Sequence, residues 1–135
     1  VLDISENAIN RAKDRIGSRS KFINWIVCDI NDFEPKENYA IWHDRAAFHF
    51  LTSKVEIDRY VRKVKLNTKN FIIGTFSTLG PKKCSGLDIT QYDESSLKKL
   101  FEDQDISMKR TENTNHITPF QTTQNFIFCS FSSIK

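Results

Sequence analysis

The sequence predicts an α/β fold: a mostly parallel sheet with helices on both faces and an antiparallel hairpin at its C-terminal end. Three observations predict it. Apolar runs of strand length alternate with stretches of helical period as far as about residue 102, the pattern that builds a parallel sheet. Two strand-like runs then follow with no helix between them, which adds an antiparallel edge. Finally, 135 residues, 39% hydrophobic and 27% charged, suit one compact domain (1–135) of globular type.

Residues 1–3 (VLD) read as the end of a strand. Ser5 is placed to cap the helix that follows, because its hydroxyl can accept from a free amide of the first turn. Ile4 and Ile9 are spaced as a hydrophobic staple around that cap. Ala8, Ile9, Ala12 and Ile16 form the apolar stripe, and Gly17 supplies the stop. Residues 22–30 (FINWIVCDI) are rich in β-branched and aromatic side chains and predict a buried strand. A loop containing Pro35 leads to a second strand at 39–43 (YAIWH), then Asp44-Arg45, then a short apolar stretch at 46–51 (AAFHFL) of one or two helical turns.

The best helix runs over 53–66, where Ser53 and Glu56 have capping-box spacing and Ile57, Tyr60, Val61 and Val64 form the buried face. Residues 70–76 (NFIIGTF) predict a third strand. The connection at 77–91, with Gly80-Pro81 and Gly86, exceeds the usual loop length, and connections that long often carry function. A third helix covers 93–102, capped by Asp93, with Tyr92 and Leu97 as its staple and Leu97, Leu100 and Phe101 inward. Residues 106–115 and 121–131 predict the closing pair of strands, with period-two alternation visible in 125–131 (NFIFCSF).

Charge narrows the partners. The net charge is only +3, and the densest basic group (Arg59, Arg62, Lys63, Lys65) falls on a helix, where it reads as a solvated face; no nucleic-acid partner is expected. No apolar run approaches the ~18 residues that cross a bilayer, so no membrane role is expected, and the first residues lack the features of a signal peptide. Cys28, Cys84 and Cys129 form no CxxC or zinc spacing, which predicts no metal and a reducing, cytoplasmic compartment.

Ligands of open α/β sheets bind outside the C-terminal ends of the parallel strands. Asp3, Asp29 and the His43-Asp44 pair fall at successive predicted strand ends. Any one such aspartate is more readily a turn former or a helix cap. Three on one rim frame a nucleoside pocket. One takes the two hydroxyls of a ribose, and the next accepts from an exocyclic amine while a neighbouring amide reads the ring.

These segments resemble, in order, those of the class I S-adenosylmethionine-dependent methyltransferases. VLDISENAINRAKDRIG is similar to the end of that family's second strand and the helix after it, and VCDINDF to its adenine-contacting segment. YAIWHDRAAFHFL is similar to its fourth strand and following turn, and NFIIGTFSTLGPKKCSGLDITQYDESSLKKLF to its fifth strand, substrate-side loop and next helix. NHITPFQTTQNFIFCSF is similar to its terminal antiparallel pair. The resemblance implies a partial Rossmann-like sheet and S-adenosyl-L-methionine as cofactor. It implies that Asp3 holds the ribose hydroxyls with Ile4 beside it, and that Asp29 and the amide of Ile30 read the adenine. It places Asp44 and Arg45, with His43, near the methionine end, and makes Asp44, His49 and His116 the candidates for a general base, although a structural role is the more ordinary one for either histidine.

One departure stands out. The family's glycine-rich loop belongs ahead of Asp3, and none of Gly17, Gly74, Gly80 and Gly86 forms GxG. Only glycine lets the backbone approach the cofactor carboxylate closely. The expectation is therefore an N-terminally truncated domain that lacks its first strand, first helix and glycine loop, exposes a sheet edge, and covers it as a homodimer or with a preceding segment.

The reaction implied is in-line transfer of a methyl group to a small molecule or a protein side chain. Two alternatives stand beside it. A nicotinamide-dependent oxidoreductase shares the ribose-binding aspartate, but Tyr60 and Lys63 fall one residue short of a Tyr-x-x-x-Lys pair. A non-catalytic remnant acting through protein contacts fits the missing glycines.

Overall fold

The computed structural model describes residues 1–134, and the chain packs as two compact units, Val1–Glu34 and the part from Pro35 onward, where the sequence suggests one domain.

In the first unit, strand β1 (Leu2–Asp3) runs parallel to β2 (Ile26–Val27), with Leu2 opposite Ile26 and Asp3 opposite Val27. Helix α1 (Glu6–Ile16) connects them. It starts where Ser5 Oγ accepts from the Ala8 N–H at 3.2 Å. It stops at Gly17, whose positive φ of 63° turns the chain out while its N–H donates to the Lys13 carbonyl. Ile9 is its one fully buried residue. The predicted staple does not form: Ile4 is 68% exposed, so nothing packs over the cap on that side. The strand expected over 22–30 contracts to two residues, and Phe22, 79% exposed, closes a 3-10 helix (Gly17–Phe22) instead. Its apolar composition had predicted burial on both faces. Within the unit its one partner strand is the two-residue β1, so the ladder has little to extend along.

The second unit is built on a four-stranded mixed sheet of order β3-β4-β8-β7. Strand β3 (Trp42–Arg45) is parallel to β4 (Asn70–Phe76), and the hairpin β7 (Ile106–Ile117)–β8 (Thr123–Ser133) adds two antiparallel pairings. Strand pairs from the alternating part of the chain are thus parallel and the terminal pair is antiparallel. Strand β3 sits three residues later than the predicted 39–43. Tyr39 makes only an isolated bridge to Thr68, and pairing with Phe71 begins at Trp42. As a result Asp44 lies inside the strand, not after it.

Helix α2 (Lys54–Asn67) begins at the expected capping box, with Ser53 Oγ accepting from the Glu56 N–H and Glu56 reaching back to the Ser53 N–H. Helix α3 (Glu94–Phe101) begins at Asp93, whose Oδ1 accepts from the Ser96 N–H at 2.8 Å, and Tyr92 and Leu97, spaced as its staple, are both buried. The long connection between β4 and α3 contains a small hairpin, β5 (Lys83–Cys84) and β6 (Leu87–Asp88), turned by Ser85 and Gly86 at positive φ.

Strand parity decides what each face of the sheet meets. Asp44 lies opposite Ile73, so it shares a face with Phe71 and Ile73 of β4 and with Phe131 and Cys129 of β8. Helices α2 and α3 cover that face. Phe101 of α3 packs its ring against Phe71 and Phe131 at 5.2 Å each, and Tyr60 of α2 packs against Phe48 at 4.9 Å. Each fully buried ring contributes about 1.5–3 kcal/mol relative to exposure. On the other face the Phe128 ring lies directly over Gly74, where any β-carbon would meet its Cε1 at 2.3 Å. No described helix is long and apolar enough to cross a membrane.

Candidate functional site

In the first unit, Asp3 ends β1 and Asp29 lies two residues beyond the end of β2. The Asp3 carbonyl accepts from the Cys28 N–H at 3.1 Å, which brings the chain just ahead of Asp29 alongside the end of β1. Both carboxylates make the same local bond: Asp3 Oδ1 accepts from the Ser5 N–H and Asp29 Oδ1 from the Asn31 N–H, each at 2.8 Å. These bonds fix the side chains in short turns and leave the second oxygen of each able to accept from a ligand. Ile4 is exposed and Ile30 half-buried beside them.

Asp44, in the second unit, has surroundings unlike the open rim the sequence suggested. It is buried, and its carboxylate is engaged on both oxygens. Oδ1 accepts from the N–H groups of Ala47 (3.1 Å) and Phe48 (3.2 Å), and Oδ2 accepts from the Tyr60 hydroxyl at 2.5 Å. Trp42 Nε1 in turn donates to the Tyr60 oxygen at 3.2 Å. Burial pushes the Asp44 carboxyl above its ordinary range, and the Tyr60 bond, the two amides and nearby His43 pull the other way. Tyr60 is held well above the usual phenol value by its own burial and by the neighbouring carboxylate, so it donates and does not ionise. A side chain so committed has little left to offer a cofactor. Its work is local: it holds the turn after β3, where Ala46 has a φ of +65°, a conformation that a β-carbon makes costly.

That turn carries His49. The imidazole is fully buried, stacked on Phe76 at 4.5 Å and 8° between planes, and neither ring nitrogen has a hydrogen-bond partner among the described residues. Burial lowers its pKa to about 4, so the ring is neutral at physiological pH. The His49 carbonyl accepts from the Thr90 N–H at 2.8 Å, which ties the long connection to the turn. Arg45 and His43 point from the opposite face of β3 to Asp44 and are exposed. His116 is exposed on β7 opposite Gln124. Pairing of β4 with β8 ends at Phe76–Phe126, while the hairpin continues to Ile117–Thr123, so His116 lies beyond the C-terminal end of β4.

Tyr60 and Trp42 were missed as members of this network. A signal was present. A tyrosine assigned to the buried face of a helix needs a partner for its hydroxyl, and the aspartate of the preceding strand is a natural acceptor.

No family model matches the sequence. Solved structures match the fold. The N-methyltransferase NodS from Bradyrhizobium japonicum WM9 superposes on 100% of this chain and 72% of its own, with a TM-score of 0.72 and 12% identity. The chain has the class I methyltransferase fold. A second structure with this fold, the 1,6-didemethyltoxoflavin-N1-methyltransferase of Burkholderia thailandensis with bound 1,6-didemethyltoxoflavin and S-adenosylhomocysteine, matches with a TM-score of 0.68 and 13% identity. It is covered over 60% of its length by 99% of this chain. Malonyl-acyl-carrier-protein O-methyltransferase 2 of Ilyobacter polytropus is 38% identical over 53 residues, 39% of this chain and 20% of that protein. The matched segment is thus a fifth of the curated relative it resembles. In the first unit Asp3 ends β1 and Asp29 follows β2, and in the second the turn bearing His49 follows β3.

Proposed function

We propose that the intact protein carrying this chain is an S-adenosyl-L-methionine-dependent methyltransferase acting on a small molecule or a protein side chain by in-line displacement. The observation that carries the reading is the pair of aspartates just at or after the ends of the parallel strands β1 and β2, each held through Oδ1 by a backbone N–H two residues on. That donor set fits a nucleoside: Asp3 holds the ribose hydroxyls with Ile4 beside it, and Asp29 accepts from the adenine amine while the Ile30 amide meets the ring. S-adenosyl-L-methionine supplies a methyl group already activated on sulfur, so the protein needs mainly to orient and desolvate the reactants.

In the second unit Asp44 is a positioning residue and Arg45 and His43 supply polar contacts at the ligand edge. Of the three base candidates, His116 is preferred, because it is exposed beyond the C-terminal end of β4. His49 is fully buried and its pKa is lowered to about 4, so it has neither access to an acceptor nor the basicity of a good general base. The fold shared with the 1,6-didemethyltoxoflavin-N1-methyltransferase supports the small-molecule acceptor class.

Three free cysteines fit a reducing, cytoplasmic compartment. Strand β3 has β4 on one side and no strand on the other among the described residues, so pairing with a second copy is the proposed cover for that edge. Calorimetric titration of the intact protein with S-adenosylhomocysteine and, separately, with NAD tests the reading. Binding of S-adenosylhomocysteine alone is expected. Binding of NAD alone would transfer the protein to the oxidoreductases, and binding of neither would leave a non-catalytic role.

A further inference from the structure

The outward side of α2 carries a pattern that nothing above uses. Val55, Arg59, Arg62 and Leu66 recur at steps of four, three and four, and so lie along one line of the helix surface. All four are exposed, Val55 by 67% and Leu66 by 66%. The line runs for about 16 Å, three turns of helix. At its C-terminal half it borders a cleft of about 350 Å³ between α2 and α3, lined by Asp58, Val61, Arg62, Lys65, Leu66 and Leu100. Its lining is thus part apolar, from Val61, Leu66 and Leu100, and part charged, from Asp58, Arg62 and Lys65.

Its charges are not balanced. Asp58 is taken by Lys54 at 2.8 Å, and Lys65 is taken by Asp103 at 2.7 Å. Arg59 and Arg62 make no ion pair among the described residues. Arg59 feels the Glu56 carboxylate, but that group is bonded to Ser53. Two guanidinium groups thus stand on the line between Val55 and Leu66, with no ion pair among the described residues. Guanidinium is weakly hydrated and pairs with carboxylates through two parallel bonds, which makes it suited to a protein interface.

We propose that this face docks an acidic amphipathic helix of a protein partner, its apolar stripe on Val55, Leu66 and the cleft, its carboxylates on Arg59 and Arg62. A partner helix of three turns matches the length of the line, and helix-in-groove docking uses the same spacing of anchors. Nucleic acid fits less well. Its backbone offers nothing to cover two exposed aliphatic side chains, and the line has no aromatic ring on which a base could stack. The inference is independent of the methyl-transfer reading.

Fluorescence anisotropy with a labelled, end-capped 15-residue helical peptide tests it. The probe carries Leu at heptad positions and Glu beside them, and the controls are the same peptide with Lys for Glu and a 15-nucleotide single-stranded DNA. Saturable binding of the Glu peptide is expected, with the Lys peptide at least tenfold weaker. Leu66→Ser and Arg62→Glu should each weaken the Glu peptide about tenfold or more, and R59E/R62E should reverse the preference toward the Lys peptide. All these positions are exposed, and unchanged far-ultraviolet circular dichroism confirms the fold of each variant. Equal binding of the two peptides, indifference to the substitutions, or tighter binding of the DNA through the same arginines would each overturn the proposal.

Discussion

The Tyr60 hydroxyl donates to Asp44 Oδ2 at 2.5 Å across sixteen residues of sequence, joining the first turn-and-a-half of α2 to the strand that precedes it. This bond, with the two amides on Oδ1, lets a carboxylate sit in the apolar face of the sheet. Tyr60→Phe removes one of three donors from a buried acid and should cost about 1–3 kcal/mol, read from urea unfolding.

The pH dependence of that loss follows from the direction of the Asp44 shift. Its folded pKa is raised above the unfolded value, so the folded state holds the proton more tightly. The stability Asp44 contributes is full below about pH 4 and declines as pH rises through the folded value. Without the Tyr60 hydroxyl the charged form is less well solvated and the decline steepens. Unfolding midpoints of wild type and Y60F should therefore lie closer together at pH 4 than at pH 7. An equal gap at both would mean the hydroxyl does not serve the charged carboxylate.

His49 behaves in the opposite sense. Its pKa falls from 6.5 to about 4 on folding, so its contribution is full above about pH 6.5 and is lost as pH drops toward 4, amounting to about 3 kcal/mol at most. His49→Phe replaces an orphaned polar ring by an apolar one of similar shape, stacked on Phe76 as before. It should leave stability at pH 7 unchanged or raised, and should flatten the thermal midpoint between pH 7 and pH 4.5 relative to wild type. It should leave methyl transfer intact; loss of turnover in H49F with S-adenosylhomocysteine still bound would give the base role to His49 in place of His116.

Gly74 has no room for a side chain. The Phe128 ring stands where a β-carbon would go, 2.3 Å from its Cε1. Gly74→Ala should cost about 1–3 kcal/mol through displacement of that ring. Phe128 is half-buried, so F128L should recover much of the loss in the double variant, which a double-mutant cycle measures.

For the nucleoside reading, Asp29→Ala and Asp3→Ala each remove a charged acceptor at or just after a strand end. Either should weaken S-adenosylhomocysteine by roughly 10- to 100-fold, the equivalent of one or two hydrogen bonds to a charged group. Both residues lie at or just after the ends of short strands, so the thermal midpoint should move little. Unchanged affinity in both variants would return these aspartates to the role of turn formers.

Much of the fold was legible in the residues because its signals are local. The start of α2 at Ser53, the start of α3 at Asp93 and the stop at Gly17 each depend on side chains within four positions of the bond they make. The alternation of 125–131 likewise marked β8. The site was less legible. Asp3 could be placed at a strand end from position alone, and it does end β1, while Asp29 falls two residues after the shortened β2. Asp44 could not be assigned, because its fate rests on a tyrosine that only packing brings near.

The amino-acid order thus determined the alternation of helix and strand, the caps, the hairpin and the class of fold, since each is encoded in propensities and hydrogen bonds of short range. Tertiary structure alone decided how long each strand would be, which face of β3 would be buried, and that neither ring nitrogen of His49 would find a hydrogen-bond partner among the described residues. A ladder extends only where a neighbouring strand is present to accept it, and a polar side chain is satisfied only by what packing brings within reach.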